Sequence, residues 1–256
     1  MIFVRPKKHL GQHFLKDENI AKKIAGALTY QAYNNVLEVG SGTGVLTKYL
    51  LQKDPAGLVL IELDADSVRV LEERFPSARI IAGDFLKTEI RDFFPGPFAV
   101  IGNFPYNISS QILFKVLDNK EHIPELVGMF QKEVAERITA IPRTKAYGII
   151  SVLAQSFYDT EYLFTVSENV FFPPPKVKSA VIRMRRKEGV HISCGEDFLK
   201  TVVKTAFNQR RKKLINALRS LLPADSRLFA EYLDKRAEEL SPAEFLALAV
   251  LLLAKK

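Results

Sequence analysis

The tetrapeptide Asn103-Phe104-Pro105-Tyr106 follows an apolar run, Phe98 to Ile101, and one glycine. Its residue types suit one task, gripping the exocyclic amine of an adenine. The Asn103 amide oxygen and a backbone carbonyl at the Pro105 turn can each accept one hydrogen bond from an NH2 group. Tyr106 offers a ring on which the base can stack. The same four residues also describe a strand ending in an Asn-Pro turn, so the segments upstream carry the decision.

Val36-Leu37-Glu38-Val39 reads as a buried strand that runs into Gly40-Ser41-Gly42-Thr43-Gly44, and Val45 to Leu51 has helical apolar spacing. A dinucleotide fingerprint requires a glycine where Val45 stands, so a pyrophosphate cradle fits poorly. That counts against a nicotinamide dehydrogenase. The second strand-like run, Leu58 to Ile61, ends at Glu62, 22 residues beyond Gly40, close to the roughly 20-residue spacing at which an acid meets a ribose hydroxyl. The third, Arg79 to Ala82, stops at Gly83-Asp84, and the fourth at Gly102-Asn103. In an open parallel sheet the carboxyl ends of the strands line one ligand crevice, which brings Gly40, Glu62, Asp84 and Asn103 together. Taken singly, Glu62 with Asp64 and Asp66 also reads as a helix start, and Asp84 as a helix cap.

These segments resemble a class I S-adenosylmethionine-dependent methyltransferase acting on adenine N6. Three more extend the resemblance: Gly11-Gln12-His13-Phe14-Leu15, Phe171 to Ser179, and Phe207 to Lys212. In this order and spacing, from about Lys7 to about Leu222, the chain resembles the ribosomal RNA adenine dimethyltransferases, most closely those that modify two adjacent adenosines near the 3′ end of 16S rRNA. The resemblance implies S-adenosylmethionine as methyl donor. It implies cosubstrate contacts at His13, Leu15, Gly40, Gly42, Glu62, Asp84 and Asn103. It implies a catalytic group of Asn103, Pro105, Tyr106 and Phe171, with Phe171 as the aromatic platform opposing Tyr106 and Phe172 as packing. The expected partner is 16S rRNA in a small-subunit precursor, with Lys176, Lys178, Arg210, Arg211 and Lys212 contacting phosphates. A 23S rRNA adenine methyltransferase and a non-catalytic RNA-binding assembly factor are the alternatives. Two residues depart from the family pattern: His13 stands where Asn is usual, and Phe104 where Leu is usual.

The 256 residues are 47% apolar and carry a formal charge of +8, enough for a full core and consistent with a polyanionic partner. A single cysteine, Cys194, excludes an internal disulfide, and the histidines His9, His13, His122 and His191 lack ligand spacing, so no metal is expected. The start, Met1 to Lys8, has no export pattern and Phe245 to Ala254 is too short to cross a bilayer, which leads us to expect a cytoplasmic monomer without membrane association. Ser241-Pro242-Ala243-Glu244 marks the start of a buried terminal helix.

The elements that must hold the site alternate strand and helix through a fifth strand at Leu126 to Phe130 and a helix at Lys132 to Ile141, the order of a doubly wound sheet. Tyr162 to Val166 and Ala180 to Met184 add two strands, which the resemblance makes the antiparallel edge of a seven-stranded, mostly parallel Rossmann-like sheet. Helical periodicity follows: Phe198 to Phe207, then Leu214, Ile215, Leu218, Leu221 and Leu222 on a second face, with four cations, Arg210 to Lys213, at the break. The expected domains are 1–187 and a small all-helical 188–256.

Overall fold

The computed structural model describes residues 4–53, 57–190, 192–223 and 230–254; Met1 to Phe3 and His191 lie outside them. Its strands are β1 (Phe14–Leu15), β2 (Asn35–Val39), β3 (Leu58–Glu62), β4 (Arg79–Ala82), β5 (Phe98–Asn103), β6 (Glu125–Gln131), β7 (Tyr158–Val166), β8 (Phe171–Phe172) and β9 (Ser179–Arg186). The helices are α1 (Glu18–Ala25), α2 (Thr47–Leu51), α3 (Ala65–Arg74), α4 (Ser109–Asp118), α5 (Lys132–Ile138), α6 (Ile149–Phe157), α7 (Glu196–Asn208), α8 (Leu214–Ala217), α9 (Ala230–Leu233) and α10 (Pro242–Leu253).

Continuous apolar runs rather than alternating ones build the sheet, because helices cover both faces of its central strands. Every residue of β3 is buried, as are all but one in each of β2 and β5. The seven strands lie in the order β4-β3-β2-β5-β6-β9-β7. β2 to β6 pair in parallel, and β9 runs antiparallel to β6 with Val127 opposite Arg183 and Gly128 opposite Ile182. The chain leaves β2 toward β3 and β4, then crosses back to β5 on the other side. The strand order therefore reverses at β2 and opens a crevice at its carboxyl end. Asp17 caps α1 through Ile20 N (3.0 Å), and α1 buries Ala21, Ile24 and Ala25. A separate two-stranded ribbon joins β1 to β8, with Phe14 opposite Phe172 and Leu15 opposite Phe171.

The chain forms two compact units, 4–135 with 161–186, and 136–160 with 187–254 among the described residues. The first holds the sheet. In the second, α6, α7 and α10 pack together through Val152, Leu153, Val202, Val203, Phe245 and Leu248, all essentially inaccessible to water. The buried Tyr147 donates to Leu240 O (2.9 Å), and its ring meets Phe207, which stacks on Phe245 at 5.8 Å. The expected division at 187/188 assigns 136–160 to the sheet. The apolar surface of α6 instead meets helices that come later in the chain, a pairing with no local trace in the sequence. The terminal helix α10 begins as expected, with Ser241 Oγ accepting from Glu244 N (3.2 Å) and Glu244 Oε2 from Ser241 N (2.8 Å). The helix expected through Leu222 stops at Ala217: Leu218 leaves helical geometry at φ −98° and ψ 11°, and the chain goes on as turns with Leu221 N (2.8 Å) and Leu222 N (3.2 Å) both on Leu218 O, while at the helix start Leu214 N donates to Lys235 O (2.8 Å). Leu214 and Leu218 are buried, but Ile215 is exposed.

Candidate active site

One cleft lies at the crevice, and it is lined by the ends of all four expected strands: Gly40, Glu62, Asp84 and Asn103. Its floor is the glycine turn. Gly40 and Gly42 have φ of 70° and 56°, left-handed values that glycine adopts without steric cost. A Cβ at Gly42 would also press against the Phe14 ring at 3.1 Å. Glu62 is 6% exposed, and its two oxygens accept separately from Gly42 N (2.8 Å) and Asp64 N (2.9 Å). These bonds fix the carboxylate plane and leave lone pairs on both oxygens. Burial pushes the Glu62 carboxyl up, and the N–H groups of Asp64 and Gly42 oppose the shift. Behind the turn, Glu38 is fully enclosed, its pKa pushed up to about 8 by burial although Thr47 Oγ1 donates to it (2.7 Å). Ser41 Oγ, also buried, has no hydrogen-bond partner among the described residues.

Residues 7–15 form a strap across this cleft. Lys7 Nζ pairs with Asp64 and Asp66, and Gln12 Nε2 donates to Asp64 Oδ2 (3.2 Å). Gly11, at φ 64°, lies so close to Asn107 that a Cβ would meet its amide. The far end of the strap reaches the tetrapeptide: Asn103 Nδ2 donates to His13 O (3.0 Å), which leaves Oδ1 as an acceptor on a residue that lines the cleft. The His13 imidazole stacks on Tyr106 at 5.4 Å and 27°, and His13 Nδ1 lies 2.7 Å from Pro173 O, so Nδ1 carries the proton. The Tyr106 hydroxyl meets Ser179 Oγ (2.5 Å), and burial raises its pKa.

At several expected positions the structure shows contacts the sequence did not announce. Phe171, expected as a stacking platform, is 1% exposed and packs in the core with Leu15 and Val166; Phe172, expected to pack, is 46% exposed. Successive strand residues face opposite sides, so the β1–β8 pairing turns Phe171 inward and Phe172 outward. Leu15 packs into the same core and lines a small cavity with Gly40, Gly42 and Asn103. The Pro105 carbonyl already accepts from Ile108 N (3.2 Å). Asp84 lines the cleft and also caps a turn, its Oδ1 accepting from Leu86 N (2.9 Å), so its two readings coexist. Arg210 donates to Lys145 O (3.0 Å) and Thr144 O (3.1 Å) and pairs with Glu238 at 3.7 Å, which ties it to its own unit. Lys176, Lys178, Arg211 and Lys212 are exposed. Among the described residues no acid, histidine or cysteine cluster is placed to hold a metal ion.

Sequence reasoning missed the apolar walls of the cleft, Leu63 and Phe85. Each directly follows an acid at a strand end, a signal readable as Glu62-Leu63 and Asp84-Phe85. Phe104 is buried and lies edge-on to Phe130 (5.1 Å), over Gly102 and Gly128, where a Cβ would collide with its ring. Those two glycines leave room for a ring where the family pattern has Leu.

Comparison with known proteins gives a uniform result. The profile of the ribosomal RNA adenine dimethylases matches residues 4–253. A protein named ribosomal RNA small subunit methyltransferase A from Flavobacterium johnsoniae is 58% identical over 248 residues, spanning 96% of this chain and 95% of its own. Its namesake from Parabacteroides distasonis is 56% identical, spanning 98% and 95%. Among solved structures, a dimethyladenosine transferase from Plasmodium falciparum superposes with a TM-score of 0.83 at 25% identity, covering 95% of this chain and 98% of its own. A 23S rRNA methyltransferase, ErmE, superposes with 0.74 at 26% identity, covering 93% and 99%.

Proposed function

The chain belongs to the ribosomal RNA adenine dimethylase family, and from that membership we propose that it transfers methyl groups from S-adenosylmethionine to N6 of two adjacent adenosines near the 3′ end of 16S rRNA. One observation carries the reading: the Asn103 amide is tied at its donor end to His13 O, so its oxygen is the atom offered to an incoming amine. A ring, Tyr106, lies three residues away on the same turn.

The cleft suits the methyl donor. Glu62 presents oriented carboxylate oxygens to a ribose, Leu63 and Phe85 give apolar walls for a flat base, and the orphaned Ser41 Oγ sits in the turn where a polar tail would approach. When bound, S-adenosylmethionine supplies a methyl carbon on a sulfonium that departs as a neutral thioether. The protein's contribution is position, which can be worth roughly 7–11 kcal/mol. Adenine N6 is weakly nucleophilic because its lone pair is delocalised into the ring. Two acceptors on its hydrogens favour a pyramidal nitrogen with the lone pair aimed at the methyl carbon. Asn103 Oδ1 is one acceptor. For the other, the Pro105 carbonyl accepts from Ile108 N–H and keeps a second lone pair, while the Phe104 carbonyl beside it has no partner among the described residues; either can take the second hydrogen bond, and the free Phe104 carbonyl is the one we assign. As the N–C bond forms, the N6 proton leaves to water; no ionised base is needed at Asn103.

Because the amine is inaccessible in a helix, the base must leave its stack. Tyr106 receives it, and the exposed cations Lys176, Lys178, Arg211 and Lys212 hold the phosphates without reading sequence. The small-subunit substrate is favoured over a 23S adenine by identity: the small-subunit relatives share 56–58% with this chain, whereas ErmE shares 26%. Purified protein given each unmodified ribosomal subunit separately should methylate the small one. Methyl incorporation confined to the large subunit would defeat the reading.

A further inference from the structure

Phe172 is the most exposed phenylalanine or tyrosine among the described residues, at 46%. The strand pairing explains why. β8 is two residues long, and its antiparallel partner β1 fixes which way each side chain points. Phe171 fills the core beside Leu15, so Phe172 must face outward. An isolated exposed ring is ordinary; its surroundings are not. The ring is followed by Pro173-Pro174-Pro175, and then by Lys176, Val177 and Lys178, all exposed. Lys16, directly after β1, is exposed as well. None of these three lysines has an ion pair among the described residues. The next residue, Pro173, supplies the carbonyl that receives His13 Nδ1–H, and the His13 ring lies on Tyr106. An aromatic face set among unpaired cations, one residue from the groups that frame the target base, has the composition of a single-stranded nucleic acid platform.

We propose that Phe172 stacks an unpaired RNA base that flanks the methylated adenosine, with Lys176 and Lys178 on the neighbouring phosphates. The inference rests on the RNA methyl-transfer reading and extends it by naming the contact that holds the strand at the mouth of the cleft. An aromatic platform tolerates any base, because every base has a π-face. Phe172 thus fixes the path of the strand, while the choice of adenine stays with Asn103 and Tyr106. A protein partner seated on the same ring would need only apolar contact, and that difference makes the two occupants separable.

The test uses the full chain with Phe172→Ala, Phe172→Leu and Phe172→Tyr, assayed for methyl transfer to unmodified small subunits. The expected result is that Phe172→Ala raises the KM for the particle about tenfold, the usual order for one lost stack. The turnover number and melting temperature should stay close to wild type, with tyrosine restoring KM and leucine failing to. Three results overturn the proposal: an unchanged KM in the alanine variant, full rescue by leucine, or a KM loss that merely follows a loss of thermal stability. Affinity for a labelled single-stranded oligoadenylate is measured in parallel. If the wild-type chain methylates no RNA, the parent reading fails on its own, and the ratio of oligoadenylate affinities between wild type and Phe172→Ala still decides the platform.

Discussion

Asn103 combines two bonds that normally serve different purposes, a structural one through Nδ2 to His13 O and a functional one through Oδ1. Alanine at 103 removes both. Turnover should fall by about 10²- to 10³-fold, the scale for losing one oriented hydrogen bond at a reacting centre, while RNA affinity stays nearly intact. Single-turnover kinetics with a filter-binding control would check this, and unchanged turnover would strip Asn103 of its role. Glu38 makes a prediction of a different kind. Its folded-state pKa of about 8 stands above its ordinary 4.5, so the folded protein holds a proton that the unfolded chain releases. Stability from this group is complete below the unfolded value and is lost as pH rises through the folded one. Glu38→Gln, which cannot ionise, should therefore unfold like wild type near pH 4.5 and gain on it toward pH 8, at up to about 1.4 kcal/mol per pH unit. Urea midpoints at both pH values would show it; parallel curves would mean that Glu38 does not titrate in this window.

Among the elements, the β5–β6 pair shows how a local residue choice reaches the site. Phe104 lies over Gly102 and Gly128 and holds the turn that carries Pro105 and Tyr106. Gly128→Ala should cost about 1–3 kcal/mol by overpacking against the Phe104 and Phe130 rings, and Phe104→Leu in the same chain should recover part of that loss. Additive urea midpoints for the double variant would show that the two positions do not interact. The strap makes a second case. Lys7→Ala breaks its ion pairs to Asp64 and Asp66, and the affinity for S-adenosylmethionine measured by calorimetry should fall a few-fold, with the same turnover at saturating donor. The parallel strands, the glycine turn and the four polar strand ends were legible because apolar runs ending in Gly, Glu, Asp and Asn are local signals. The β1–β8 ribbon was not, since two-residue strands have no periodicity to read. For the same reason the exposure of Phe171 and Phe172 was hidden, because only the pairing partner says which of two adjacent rings faces inward. The short α8 was hidden similarly: Leu214 to Leu222 has helical spacing, but the chain leaves helical geometry at Leu218 and continues as turns.

At the scale of the whole molecule, a net charge of +8 favours any polyanion, so charge alone does not locate RNA. What separates working cations from solvated ones is whether the protein already uses them. Arg210 is spent on Thr144, Lys145 and Glu238, whereas Arg211 and Lys212 are exposed and have no ion pair among the described residues. Replacing Arg211 and Lys212 together with alanine should lower the slope of log affinity against log salt by roughly 1.5–2, with little change in thermal stability. Titrations of small-subunit RNA across a salt series would check it, and an unchanged slope would remove that cluster from the interface. The run Arg210 to Lys213 looked uniform in sequence; folding divides it. The strap, finally, joins two parts of the site in one segment. Its backbone lines the donor cleft and also holds the asparagine amide through His13 O, so a shift of His13 that widens the cleft also lets go of that amide.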